Sequence, residues 1–239
     1  MTTSPFSLST WWTALTHLFY PELCVACSQA IPALNSCFCM KCRVRLMRSD
    51  MHLVPENEFT RRFWGRIRLQ TAAAMYYFAK KSPIQRALHR LKYKNQPDVG
   101  LKIGREFGRL LAASDLFQPV EAIVAVPLHP KKERLRGYNQ SAMFARGLSE
   151  GMDRPFLNQV LVRKAFTVSQ TRKRRMERFE NVETVFAVKD GHLLEGRHVL
   201  LVDDVLTTGA TLEACGQILL QVPGLRLSMA TIAIAIGKS

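Results

Sequence analysis

The stretch HVLLVDDVLTTGAT, residues 198–211, constrains this chain more than any other. It opens with a continuous apolar run, Val199 to Val202, the pattern of a strand buried on both faces of a parallel sheet. Two carboxylates follow at once, Asp203 and Asp204. A short loop of hydroxyls and one glycine comes next: Thr207, Thr208, Gly209, Ala210 and Thr211. Leu212, Ala214, Cys215, Ile218 and Leu219 then recur at helical spacing. The pattern predicts an acidic pair at the carboxyl end of a strand and a phosphate-sized loop opening a helix.

Such a loop favours an anion for physical reasons. The first N–H groups of a helix lack partners within it and carry the positive end of its dipole. Gly209 has no Cβ, so the backbone can approach a ligand closely. Threonine hydroxyls can donate to phosphate oxygens. Asp203 and Asp204 are badly placed for phosphate but suited to accept hydrogen bonds from a sugar diol. Phosphate, ribose hydroxyls and a divalent cation together point to a ribose 5-phosphate group. The alternative is that Asp204 or Thr207 merely caps the helix, which needs neither two acids nor three threonines.

Charge adds a second constraint. Lys and Arg number 34 against 19 Asp and Glu, a net charge of +15. That excess favours polyanionic partners such as nucleic acid, an anionic membrane or phosphorylated ligands, although a basic solvated surface gives the same count. No run reaches the roughly 20 apolar residues needed to span a bilayer, and the first residues lack a secretory pattern. The expectation is a soluble, cytoplasmic protein. Thiols stay reduced in that compartment, so clustered cysteines point to metal.

Such a cluster is present. Cys24 and Cys27 form one C-x-x-C pair, and Cys39 and Cys42 form another. Four thiolates so spaced suit a closed, structural tetrahedral zinc site. Cys37 could replace Cys39 as a ligand, and the spacing leaves that open. A closed site does not catalyse. It would fold a segment too small for its own core, and Lys41, Arg43, Arg45 and Arg48 would give that segment a basic surface.

Before the cluster, Trp11, Leu15, Leu18 and Phe19 line one face of a short helix over 6–20, with no Lys or Arg opposite to favour a membrane surface. Residues 1–50 thus read as an N-terminal helix and zinc-knuckle segment, and 51–70 as a polar connector. From 71 onward strands alternate with helices: a strand over 71–79, helices over 83–93 and 99–113, and a strand over 122–126. Then come a helix from Ser141 to Gly151, a short strand at 160, the strand and helix of the opening stretch, and a last strand over 229–236. That alternation predicts an α/β domain over 71–239 with a mostly parallel sheet. Ligands bind such sheets outside the carboxyl ends of the strands. A basic loop with Lys131, Lys132, Arg134 and Arg136 follows the 122–126 strand, where a second anionic group could sit or where the charge could simply be solvated. Residues 160–182 are also strongly basic, with Phe166 and Phe179 interleaved, which suits contacts to single-stranded nucleic acid or an exposed basic helix.

Residues 198–211 resemble the phosphoribosyl-pyrophosphate (PRPP) signature of type I phosphoribosyltransferases. With the double C-x-x-C knuckle, LKY at 91–93, VPLHPKK followed by RGYNQ between 126 and 140, and Q-T-R with R..NV between 170 and 182, the chain is identified as a member of the ComF family. The resemblance covers nearly the whole length. It implies a zinc-finger segment before a type I phosphoribosyltransferase-like domain, acting in natural transformation on single-stranded DNA beside a ComF-type helicase. By position, Asp203 and Asp204 would hold the ribose hydroxyls of PRPP, and Thr207, Thr208, Gly209, Ala210 and Thr211 its 5-phosphate. Leu128 and His129 would lie in the pyrophosphate loop, with magnesium. Lys131, Lys132, Arg134 and Arg136 would serve the pyrophosphate. Arg136, Gly137, Tyr138 and Asn139 match a flexible-loop motif able to close over the ligand, and Arg178 and Asn181 match the family's R..N motif. No residue stands out as a nucleobase reader, so base salvage is not expected, whereas transfer to an unknown acceptor stays open.

Overall fold

The computed structural model describes residues 22–31, 37–164 and 185–236. The helix expected over 6–20, and the basic stretch from 165 to 182 with Arg178 and Asn181, lie outside the described residues. The described helices are α1 (Met40–Arg43), α2 (Glu58–Arg61), α3 (Pro83–Tyr93), α4 (Asp98–Ala112), α5 (Pro130–Arg136), α6 (Gln140–Met152) and α7 (Ala210–Leu219). The strands are β1 (Ala72–Phe78), β2 (Ala122–Ala125), β3 (Leu161–Arg163), β4 (Phe186–Val188), β5 (His198–Leu206) and β6 (Arg226–Ala235).

Four strands form one sheet in the order β1-β6-β5-β2, and every neighbouring pair is parallel. β3 and β4 make a separate antiparallel ribbon. This is the α/β architecture with a mostly parallel sheet that the alternation predicts. Central β5 and β6 carry long apolar runs, as burial on both faces requires. The hydroxyls β6 buries are satisfied: Ser228 pairs with the His198 ring at 2.8 Å, and Thr231 donates to the Ala233 carbonyl at 3.0 Å.

Two local differences from the sequence reading matter. β5 does not stop at Val202. It runs through both aspartates to Leu206, because β6 continues to pair with it from Asp203 opposite Thr231 to Leu206 opposite Ile234. The basic segment after β2 is not a loop either: Pro130 at its first position and His129 as its cap set up α5, a helix with no buried residue.

The expected connector is packed. Asn57 caps α2 by accepting from the Phe59 and Thr60 N–H groups and also donates to the Ala72 carbonyl at 2.8 Å. Phe59 and Phe63 are fully buried against the sheet's core. The cysteine segment is tied to the same sheet. Ser49 donates its N–H to the Met75 carbonyl, and Tyr77 to the Met47 carbonyl, so residues 47–49 cover part of the outer edge of β1. Phe38 meets Tyr76 edge to face, with centroids 5.8 Å apart.

Close packing of α4 on α6 aligns the site. Gly104 and Gly108 of α4 face Gly147 and Gly151 of α6, backbone against backbone. A Cβ at Gly147 would lie 2.3 Å from the Leu101 carbonyl oxygen, so only glycine fits.

Candidate functional site

The acidic pair, the threonine loop and the start of α7 meet at the carboxyl end of β5. Two side chains from distant helices converge on the pair. Ser141, in the first turn of α6, donates its hydroxyl to Asp203 Oδ1 at 2.7 Å, and the Asp204 N–H reaches the same oxygen at 2.8 Å. Lys92, in the last turn of α3, sets its ammonium 3.0 Å from Asp204 Oδ2. Burial, then the neighbouring Asp204 charge, push the Asp203 carboxyl up to about 7, against the smaller opposing pull of Ser141, the Asp204 N–H and Lys92.

The loop itself is held from behind by the expected connector. Arg62 donates to the Thr207 carbonyl at 2.8 Å and to the Ala235 carbonyl at the end of β6, while Glu58 pairs with it at 2.7 Å. Gly209 adopts φ of +83°, and a Cβ there would come within 3.0 Å of the Phe63 ring. Left-handed backbone and a blocking ring both require glycine. Thr207, Thr208, Ala210 and Thr211 are exposed around it. The N-cap of α7 is Gly209, which has no side chain to cap it, and the Thr208 hydroxyl accepts from the Ala210 N–H at a long 3.4 Å. An exposed helix start edged with hydroxyls is suited to an anion.

Leu128 and His129 follow β2, the strand beside β5, and the Val126 N–H donates to the Val202 carbonyl at 2.9 Å. This sets their turn next to the acidic pair's strand. His129 Nδ1 accepts from the Lys131 N–H at 3.2 Å, so its ring is a helix cap. A cavity of about 350 Å³ opens beside this turn, with Leu128, Glu133, Tyr138, Asn158 and Arg163 on its walls. Lys131, Lys132 and Arg134 stand exposed on α5, and the cation in contact with the acidic pair is Lys92. Gly137, at φ +85°, ends α5. Asn139 caps α6 by accepting from the Ser141 N–H, and donates to the Val126 carbonyl at 2.9 Å. Tyr138 donates its hydroxyl to the Leu91 carbonyl at 2.5 Å, and Arg136 reaches Gln140 and lies 5.9 Å over the Tyr93 ring. The RGYNQ motif thus clasps α3 to α6 and brings Lys92 and Ser141 to the acids. Sequence reading assigned no role to Lys92, Ser141, Arg62 or Phe63. Only LKY, as a motif, marked one of them.

The second constellation is the cysteine cluster. The sulfurs of Cys24, Cys27, Cys39 and Cys42 all lie within 4.8 Å of one another, with Cys27 and Cys39 at 3.6 Å. Tetrahedral zinc with Zn–S bonds near 2.3 Å separates its sulfurs by roughly 3.8 Å, so the four thiols fit a structural zinc ion. Cys37 points elsewhere, its thiol 3.5 Å from Glu106 Oε2 on α4. The choice between Cys37 and Cys39 thus falls to Cys39.

The phosphoribosyl transferase domain family matches residues 139–236, which hold α6, β5, the loop and β6. The chain is 33% identical over 145 residues to Competence protein F of Haemophilus influenzae, covering 57% of this chain and 62% of that protein. It is 28% identical over 143 residues to the DNA utilization protein YhgH of Escherichia coli strain K12, covering 58% and 62%. These matches span less than two thirds of either relative. Competence protein ComFC of Bacillus subtilis matches at 25% identity over 227 residues, 91% of this chain and 86% of that one. Among the described residues no helix is long and apolar enough to cross a membrane. With a phosphoribosyl transferase domain match behind a four-cysteine knuckle, the chain is similar to competence proteins of the ComF type.

Proposed function

We propose that this protein binds PRPP at the carboxyl end of β5 and single-stranded DNA on its basic surface, and acts in the cytoplasm in DNA uptake for natural transformation beside a ComF-type helicase. The observation that carries the ligand is the acidic pair standing next to an exposed helix start whose N-cap is glycine. Asp203 and Asp204 take the ribose hydroxyls. The loop from Thr207 to Thr211 takes the 5-phosphate through its N–H groups and hydroxyls. The Leu128–His129 turn and the basic residues of α5 face the pyrophosphate. The carboxylate oxygens of the pair are donors of the kind magnesium prefers. Bound there with the ligand, the ion would neutralise pyrophosphate charge, and Lys92 would be its competitor at Asp204. The DNA reading rests on the net charge of +15 and on relatives named for competence and DNA utilization.

Calorimetric titration of PRPP with magnesium tests the site. Binding to the wild type and none to Asp203→Ala/Asp204→Ala is the expected result. Equal heats for both proteins overturn it.

A second reading, phosphoribosyl transfer to an unidentified acceptor, is favoured by one observation. A carboxyl held near 7 can accept an acceptor's proton at neutral pH, as a general base must. Pyrophosphate release that appears only with an acceptor and is lost in Asp203→Asn would support it.

A further inference from the structure

The outer face of α3 is strongly basic. Between residues 79 and 97 the chain carries Lys80, Lys81, Arg86, Arg90, Lys92 and Lys94 and no Asp or Glu. Ile84, Ala87, Leu88 and Leu91 take the buried face of the helix, which turns Arg86, His89, Arg90 and Tyr93 outward along one stripe. An open groove of about 550 Å³ follows that stripe, walled by Arg86, His89, Arg90, Lys94 and, from the cysteine knuckle, Ala26. At its knuckle end the Arg86 guanidinium lies 3.8 Å from Cys42 Sγ, and Arg90 donates to the Ser28 hydroxyl. At its other end the Tyr93 ring is 69% exposed. His89 stands 5.1 Å from that ring and Arg136 5.9 Å. One residue before Tyr93, Lys92 already touches the acidic pair.

We propose that this stripe is the track on which single-stranded DNA lies, running from the cysteine knuckle to the mouth of the phosphoribosyl site. Arg86, Arg90 and Lys94 contact successive phosphates, and the exposed face of Tyr93 stacks an unpaired base. The composition suits that ligand: a groove of cations without acids follows the backbone, and an open ring flanked by cations takes a base of any identity. A paired base cannot reach the ring, so the track discriminates against duplex. The proposal rests on the DNA-binding reading above and adds where the strand lies.

The experiment is fluorescence anisotropy of a labelled oligo-dT against the full, zinc-loaded chain across a salt series. Four variants are compared: Tyr93→Ala, Lys94→Gln, Arg86→Gln/Arg90→Gln, and Arg172→Gln/Lys173→Gln/Arg174→Gln/Arg175→Gln in the other basic stretch. Tyr93→Ala is expected to weaken binding by roughly 5- to 150-fold, the range for losing one stacked base. The double arginine variant is expected to flatten the slope of log K against log salt by about 1.4, for two lost phosphate contacts. Arg86 and Arg90 also touch the knuckle, so zinc content is measured alongside. Tyr93→Ala and Lys94→Gln touch no cysteine and keep the test independent of folding there. Wild-type affinity unchanged in Tyr93→Ala and Lys94→Gln overturns the track while leaving DNA binding intact, as does a loss confined to the 172–175 variant. Equal affinity for a duplex of the same length also overturns it. No binding of oligo-dT by the wild type overturns the DNA-binding reading itself.

Discussion

Asp203 and Asp204 are adjacent carboxylates buried to different ends: one leans toward the protonated form and the other pairs with Lys92. The first has a consequence for pH. Its folded value, about 7, lies above the ordinary value of 3.8. Between those values the native state keeps a proton that the unfolded chain has lost, so stability falls as pH rises, by at most about 1.4 kcal/mol per pH unit from this group. Urea denaturation of the ligand-free protein at pH 5, 6 and 7 should show that decline, and Asp203→Asn should lack it. The second has a consequence for Lys92. Its side chain is 27% exposed and that of Asp204 6%. Lys92→Met leaves a carboxylate nearly buried without its cation and should cost about 1–3 kcal/mol at pH 8. Adding Asp204→Asn should recover most of that loss, as a double-mutant cycle in urea would show.

Elements carry the site by how closely they approach one another. α4 and α6 touch through glycines, which lets the first turn of α6 bring Ser141 to Asp203. Gly147→Ala would press a methyl against the Leu101 carbonyl and should lower stability by about 1–3 kcal/mol or more. Gly137→Ala meets no atom within 4 Å and strains only a left-handed backbone, so about 1 kcal/mol is expected. Thermal denaturation of the two variants separates these causes, and a larger loss at Gly137 would contradict the packing argument. α2 and the residues after it play the matching part behind the phosphate loop, where Arg62 and Phe63 fix Thr207 and Gly209. That segment reads as polar in sequence because its two buried phenylalanines are spaced among arginines and glutamates that solvate the other side.

Across the whole molecule, the cysteine segment and the sheet are one packed unit at the outer edge of β1. Chelation of zinc should therefore lower the melting temperature of the whole protein, since loss of the knuckle unpairs residues 47–49 from β1. Metal analysis should find one zinc per chain in the wild type and in Cys37→Ser, and less in Cys39→Ser. Loss of zinc from Cys37→Ser would reverse the ligand assignment.

The sequence by itself determined what depends on neighbours along the chain. Apolar runs and helical spacing marked the strands and helices from 71 onward, because periodicity is a local property. Two C-x-x-C pairs and the DD-to-TTGAT stretch marked the metal and the ligand ends, because each is contiguous. Tertiary structure decided what depends on distance in space. It carried β5 past the aspartates by pairing Asp203, Val205 and Leu206 with β6, turned the basic loop into α5, and buried the expected connector. It also chose Lys92, Ser141 and Arg62 as the groups that touch the acids and the loop. The LKY motif marks Lys92 but no local pattern gives any of the three its partner. A lysine at a helix end or a serine in a first turn has the same neighbours in sequence whether it faces water or a carboxylate. Only the packing of α3, α6 and the 58–67 segment around one strand end settles which.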